Sequence, residues 1–171
     1  RLETALDSGA LAIWDSDVPA GELYLSQGWA NILGSDLSSQ SSRIADVFER
    51  VHPQDRAAAL AELLRAVRGE TQHFSAEIRI RTDSGDWKWV SGSGKVVERD
   101  AAGTALRMTG TAVDIDARKR AEHAMRDAEA RYRMLIDLSP DAILLQSDGR
   151  IEYANQAAAD MLGLPGPAAL V

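Results

Sequence analysis

The apolar positions of this chain change period several times, and each change marks an element. Residues 10–14 (Ala-Leu-Ala-Ile-Trp) read as a short strand and 22–25 as its return, with a turn over 15–21 that holds Pro19 and Gly21. Residues 27–33 carry Trp29, Ile32 and Leu33 on a short helix that Gly34 ends. A serine-rich loop follows over 36–42. Ile44, Val47, Phe48 and Val51 recur at helical spacing up to His52-Pro53, where proline disfavours helix in the residue before it. Residues 54–68 predict a stronger helix with the stripe Ala57, Leu60, Leu64 and Val67, closed by Gly69.

The period then drops to two. Phe74, Ala76, Ile78 and Ile80 alternate with Ser75, Glu77, Arg79 and Arg81, which predicts a strand with one wet face. Asp83-Ser84-Gly85-Asp86 and residues 100–103 read as hairpin turns, so 87–99 and 105–113 extend the same antiparallel sheet. With the first hairpin these strands form one sheet covered on one face by helices, an α+β arrangement.

The last clear element is a helix over 114–138. Asp114, Asp116, Glu122, Asp127 and Glu129 each precede an arginine by four residues. That orientation is favourable by about 0.2–0.5 kcal/mol per pair. Ala121, Met125, Ala128, Tyr132 and Leu135 follow a 4-3-4-3 spacing, a thin coiled-coil seam that its alanines keep weak. At about 1.5 Å per residue the helix would span roughly 35–40 Å, more than packing on one small domain requires.

The start of the chain also returns after this helix. Leu6-Asp7 and Ala12-Ile13 match Ile136-Asp137 and Ala142-Ile143; Tyr24, Gln27, Ala30 and Leu33-Gly34 match Tyr153, Gln156, Ala159 and Leu162-Gly163. A second copy of the fold therefore begins near Ile136 and stops at Val171 after one hairpin and one helix. A third of a domain buries no closed core, so this part is expected to be partly disordered or completed by a neighbouring chain. The 171 residues thus divide as one domain over 1–115, a linker helix over 116–135 and a partial second domain over 136–171.

Composition excludes several chemistries. There is no cysteine, hence no disulfide framework, thiolate metal site, cysteine nucleophile or cysteinyl photoadduct. His52, His73 and His123 lie too far apart for a zinc motif. No nucleophile elbow, phosphate loop or dinucleotide fingerprint occurs, which points away from an enzyme. The net charge of -7 argues against a nucleic-acid surface. No apolar run approaches the roughly 18 residues of a membrane span. Nothing like a signal peptide follows Arg1, so the chain reads as a cytoplasmic piece of a longer protein.

Several motifs stand in one order. They are His52-Pro53-x-Asp55-Arg56, the run Phe74 to Arg81, Gly85, Trp89-Val90, Gly103, Leu106-Arg107, Gly110-Thr111 and Asp114-Ile115-Asp116. Together with Ala12-Ile13-Trp14-Asp15 they resemble a PAS domain with its C-terminal PAC motif. Ser139-Pro140-Asp141-Ala142-Ile143 with Tyr153-Ala154-Asn155 resembles the opening of another. The resemblance implies a five-stranded antiparallel sheet in the order 2-1-5-4-3, helices on one face and a long C-terminal signalling helix. It implies a sensory module of a bacterial signalling protein, ahead of a further PAS domain and of a histidine kinase or cyclic-di-GMP output in the same chain. The family's end motif is usually Asp-Ile-Thr; Asp116 in the third place can still cap the helix.

The implied pocket lies between sheet and helices. Its candidate residues are Trp29, Phe48, Leu64, Ile78, Ile80, Ser91, Ser93, Met108, Gly110 and Ala112. The inward placing of Ser91, Ser93, Met108, Gly110 and Ala112 follows flavin-binding relatives. Small residues leave volume, and hydroxyls beside it suit a non-covalent flavin or another planar heteroaromatic ligand, its identity open. Trp29, Phe48, Leu60 and Leu64 could instead fill that volume and leave a ligand-free dimerisation or relay module. His52 reads as a capping or turn residue and His73 as an exposed strand end rather than as haem ligands. Arg107, Asp114, Ile115 and Asp116 form the expected junction between last strand and helix, with Arg107 and Asp114 as a charge pair. The helix seam is expected to pair two copies of the chain, with no membrane contact in this segment.

Overall fold

The structure, a computed structural model, describes residues 11–35 and 40–171. Leu6-Asp7 of the repeat, the first residue of the predicted opening strand and residues 36–39 of the predicted loop lie outside them. The chain divides into two compact units, Arg1–Lys119 and Arg120–Val171.

In the first unit, β1 (Leu11–Asp17) turns through residues 18–21 into β2 (Glu22–Leu25), then α1 (Gly28–Leu33) ends at a left-handed Gly34. β3 (Gln40–Arg43), α2 (Ile44–Arg50) and α3 (Pro53–Val67) follow, then β4 (Phe74–Arg81), β5 (Trp87–Arg99) and β6 (Ala105–Asp114). The sheet order is β3-β2-β1-β6-β5-β4. The five expected strands keep their expected order. The sixth, β3, falls in the predicted serine loop. As an edge strand it is held by backbone pairing to β2 and needs no apolar alternation, which leaves no signal in the sequence.

Register fixes what faces the helices. Phe74, Gly94, Gly110, Trp14 and Leu25 form one row across five strands, and Ala76, Gly92, Ala112 and Ala12 form the next. Paired residues share a face. The Trp14 ring lies across Gly94 and Gly110, where a Cβ at either position would overlap it, and meets Phe74 edge-on at 6.4 Å.

The helix α3 is fastened at both ends. Pro53 opens it, the His52 ring accepts the Gln54 N–H at 3.3 Å, and the Arg99 guanidinium donates to the Ala66 and Val67 carbonyls at its end. Of the predicted stripe only Val67 turns inward. Ala59 and Ala66 are buried and Leu63 and Val67 pack on the core, while Leu60 and Leu64 are exposed. Apolar residues lie nearly all round this helix, so periodicity alone could not choose between two interleaved stripes.

α4 (Asp116–Asp137) begins in the first unit and ends in the second. In the second unit, β7 (Leu144–Ser147) and β8 (Arg150–Ala154) pair through Asp148-Gly149, both at positive φ, and α5 (Gln156–Met161) follows. Asn155 is fully buried. Its side-chain oxygen accepts the Ile143 and Ala158 N–H groups, and its amide donates to the Ile136 and Asp141 carbonyls. One side chain thus closes the hairpin, caps α5 and holds the end of α4.

Candidate functional site

Between the sheet and α1 to α3 lies a cavity of about 100 Å³. Ile44, Val47 and Phe48 roof it from α2, Ala59 and Leu63 from α3, and Trp29 closes it from α1. Its floor includes Phe74, Ile78, Ile80, Val90, Gly92, Met108 and Ala112. No lining residue is titratable. The Ser16 hydroxyl already donates to the Met108 carbonyl at 3.1 Å. The Trp29 indole N–H is buried without a partner.

Six of the ten residues read from the sequence line this cavity: Trp29, Phe48, Ile78, Ile80, Met108 and Ala112. Four do not. Leu64 points outward on α3, and Leu63 takes its place. Ser91 and Ser93 stand on the opposite face, where Ser93 meets the Thr111 hydroxyl at 3.2 Å. Ile78 pairs with Val90 and Ala76 with Gly92, which puts the even-numbered residues of β5 inward. The run Ser-Gly-Ser-Gly has no large apolar residue to mark that phase. Gly110 faces inward but lies under the Trp14 ring. Trp14 therefore fills part of the space that the small residues leave. Val90 and Gly92 were missed, and counting the pairing out from the turn at Gly85 would have found them.

The junction with α4 is built around Trp89. Its carbonyl accepts the Ile115 N–H at 3.0 Å, and its N–H donates to the Asp116 carboxylate at 3.3 Å. Arg79 and Lys119 both lie over its ring, at 5.2 and 5.0 Å. Arg79 in turn grips Asp55, in the first turn of α3, at 2.7 and 2.9 Å. That hydrogen-bonded guanidinium holds the Asp55 carboxyl below its ordinary value. Lys119 and Arg118 do the same to Glu77, Lys119 most strongly. Asp114 pairs with Lys88 at 3.1 Å and accepts the Asp116 N–H at 2.9 Å. Arg107 does not pair with Asp114. It sits near the other end of β6, about 20 Å away at strand rise, and its guanidinium grips Asp15. Asp114, Ile115 and Asp116 meet at the junction; Arg107 is not part of it.

A curled antiparallel sheet with a helix-roofed apolar cavity, and a long helix leaving its last strand, defines a sensory module of signal-transduction proteins. The chain belongs to the PAS family: the profile described as PAS fold matches residues 22–112, and one described as PAS domain matches 130–171. It is 33% identical over 169 residues to the two-component sensor PprA of Pseudomonas aeruginosa, covering 95% of this chain and 18% of that protein. It is 28% identical over 165 residues to the sensor protein FixL of Bradyrhizobium diazoefficiens, covering 95% of this chain and 32% of that one. A solved structure of a sensory box histidine kinase/response regulator from Burkholderia thailandensis superposes with a TM-score of 0.65 at 30% identity, over 79% of this chain and 99% of that one. The chain thus spans less than a third of the length of the two curated sensors.

The cavity does not fit a flavin. An apolar cavity of about 150 Å³ takes one benzene ring, and the three fused rings of an isoalloxazine need several times that. The hydroxyls expected beside its polar edge, Ser91 and Ser93, lie on the other face. Haem fits no better: His52 caps α3 and stacks edge-on to Trp87 at 4.6 Å, and neither it nor His73 lines the cavity. No described helix is long and apolar enough to cross a membrane.

Proposed function

We propose that the first unit is the input of a longer bacterial signalling protein. A small molecule occupies the cavity, and its presence passes through the roof to α4. The observation that supports this is the run of contacts from Asp55, on the same helix as the roof residues Ala59 and Leu63, through Arg79 to Trp89, and from Trp89 to Ile115 and Lys119. Interiors are close-packed, so a shift of α3 moves Arg79 and with it the ring that anchors the helix. The role is regulatory, without chemistry of its own, as a lining free of titratable groups suits.

In this reading residues 1–115 sense, 116–135 transmit, and 136–171 open a second PAS domain. A two-component output downstream, on the cytoplasmic side where ATP is available, agrees with the names of the relatives. Two copies pair along α4: Met125, Tyr132 and Leu135 of the seam are 60–75% exposed and stand at heptad spacing. Light scattering checks this, since Leu135→Asp should lower the mass if the seam holds the dimer. A ligand-free relay is the second reading, and the Trp14 ring over Gly94 and Gly110 favours it.

Mass spectrometry of what the denatured protein releases separates the two. We expect a stoichiometric compound from the native chain and none from Ala112→Trp, with the circular dichroism of the variant unchanged. Equal release from both would place the ligand elsewhere, and no release from either would leave the relay.

A further inference from the structure

We propose that the cavity takes a neutral hydrocarbon of one small ring and discriminates against molecules of the same shape that carry a carbonyl, a hydroxyl or a charge. This rests on reading the cavity as a ligand site and says what that site selects.

Selection follows from what the wall has left to offer. Backbone N–H and C=O groups of a sheet point from strand to strand rather than toward a face. In the floor, Gly92 pairs with Ala76 and Ala112, and Met108 with Ser16 and Val96. Three lining side chains carry a nitrogen or an oxygen: Trp14, Ser16 and Trp29. Trp14 donates to the Thr111 carbonyl at 3.3 Å, and the Ser16 hydroxyl donates to the Met108 carbonyl at 3.1 Å. The Trp29 indole nitrogen is covered by protein atoms and opens on no space. The wall thus presents no free side-chain donor, and its one side-chain oxygen is that of Ser16.

A carbonyl entering this space gives up its water and gains no hydrogen bond, and a charge meets no opposite charge. Water itself needs about two to four polar partners, so a cavity with these walls stays dry and holds a hydrocarbon instead. The volume of about 100 Å³ limits the occupant to roughly one small ring. The rings of Trp14, Phe48 and Phe74 and the Met108 thioether are polarisable walls that suit an unsaturated one.

The test uses two molecules of one shape, methylenecyclopentane and cyclopentanone, with the 171-residue chain. Proton–carbon spectra follow the methyl groups of Ile80 and Met108 in the cavity wall. We expect both compounds to move these signals to saturation, the alkene at about 10- to 100-fold lower concentration. That ratio should match the one by which the pair divides between alkane and water, as it must if the wall gives the carbonyl nothing. Cyclopentanol extends the test to the Ser16 oxygen, and it too should bind no more tightly than its partition predicts. Tighter binding of either polar compound would reveal a hydrogen-bonding group in the wall. It would overturn the selection while leaving the cavity as a ligand site. If none of the three moves the methyl signals of Ile80 and Met108, the cavity is no ligand site and both readings fall.

Discussion

At the end of β2 the Ser26 hydroxyl accepts the Ile13 N–H at 2.8 Å, and the Ser26 N–H returns to the Ile13 carbonyl at 2.9 Å. Asn155, its counterpart in the repeat, does the same to Ile143 at 2.9 and 3.1 Å. The local lock is shared, and the surroundings are not. Trp14 is pressed between β2 and β6, whereas its counterpart Leu144 is 43% exposed. Where the first unit has Trp29, the second has Ala158. Asn155 adds two bonds that a serine could not make, to the Ile136 and Asp141 carbonyls. A hairpin and its helix are thus set by a few nearby hydrogen bonds and turn residues. A cavity needs strands that come much later in the chain, and only the first unit supplies them here.

Three substitutions sharpen this contrast. Gly110→Ala should have the largest effect, because its methyl meets the Ser93 backbone carbonyl and the Trp14 ring in a row that spans five strands. We expect a loss of about 2–3 kcal/mol from overpacking, read by thermal unfolding. Exchange protection at Ile143 in the second unit should not change. Asn155→Ala should do the reverse. It leaves two N–H groups and two carbonyls without their partner and should cost the second unit about 2 kcal/mol, seen as faster exchange at Ile143 and Ala158. Asn155→Ser should recover the strand bond, as Ser26 makes it, but not the clamp on α4.

The smallest effect is expected at Asp55→Asn, about 1–2 kcal/mol at neutral pH for a charge-assisted pair. Because Arg79 holds the folded carboxyl below its ordinary 3.8, the wild-type contribution is complete above that value. It is lost as the pH falls through the lowered folded value. Urea melts of wild type and variant should therefore differ at pH 7 and draw together as the pH falls below 3.8 and through the lowered folded value.

Much of the fold was legible because its signals are local. Gly34, Pro53 and Gly85, and the alternation from Phe74 to Ile80, mark elements without reference to the rest of the chain. Of the capping or turn role expected for His52, the structure shows the cap, for the same reason. What was not legible depends on partners. The edge strand β3 exists through β2. The inward stripe of α3 depends on which of two apolar series meets the sheet. The phase of Ser91 to Gly94 is set by β4, and the partner of Arg107 by the length of β6. The cavity was readable as a place, with six of its residues named. Its chemistry was not, because the hydroxyls that suggested a polar ligand turn away and an indole takes the space over Gly94 and Gly110.

The most direct measurement follows three signals while the full chain is titrated with cyclopentanone, a neutral probe of one small ring: a methyl group of Ile80 in the cavity lining and the backbone amides of Ile115 and Lys119. We expect all three to move along one saturation curve, as they must if occupancy of the cavity reaches the start of α4. An Ile80 signal that saturates while Ile115 and Lys119 stay still would contradict transmission through Asp55, Arg79 and Trp89.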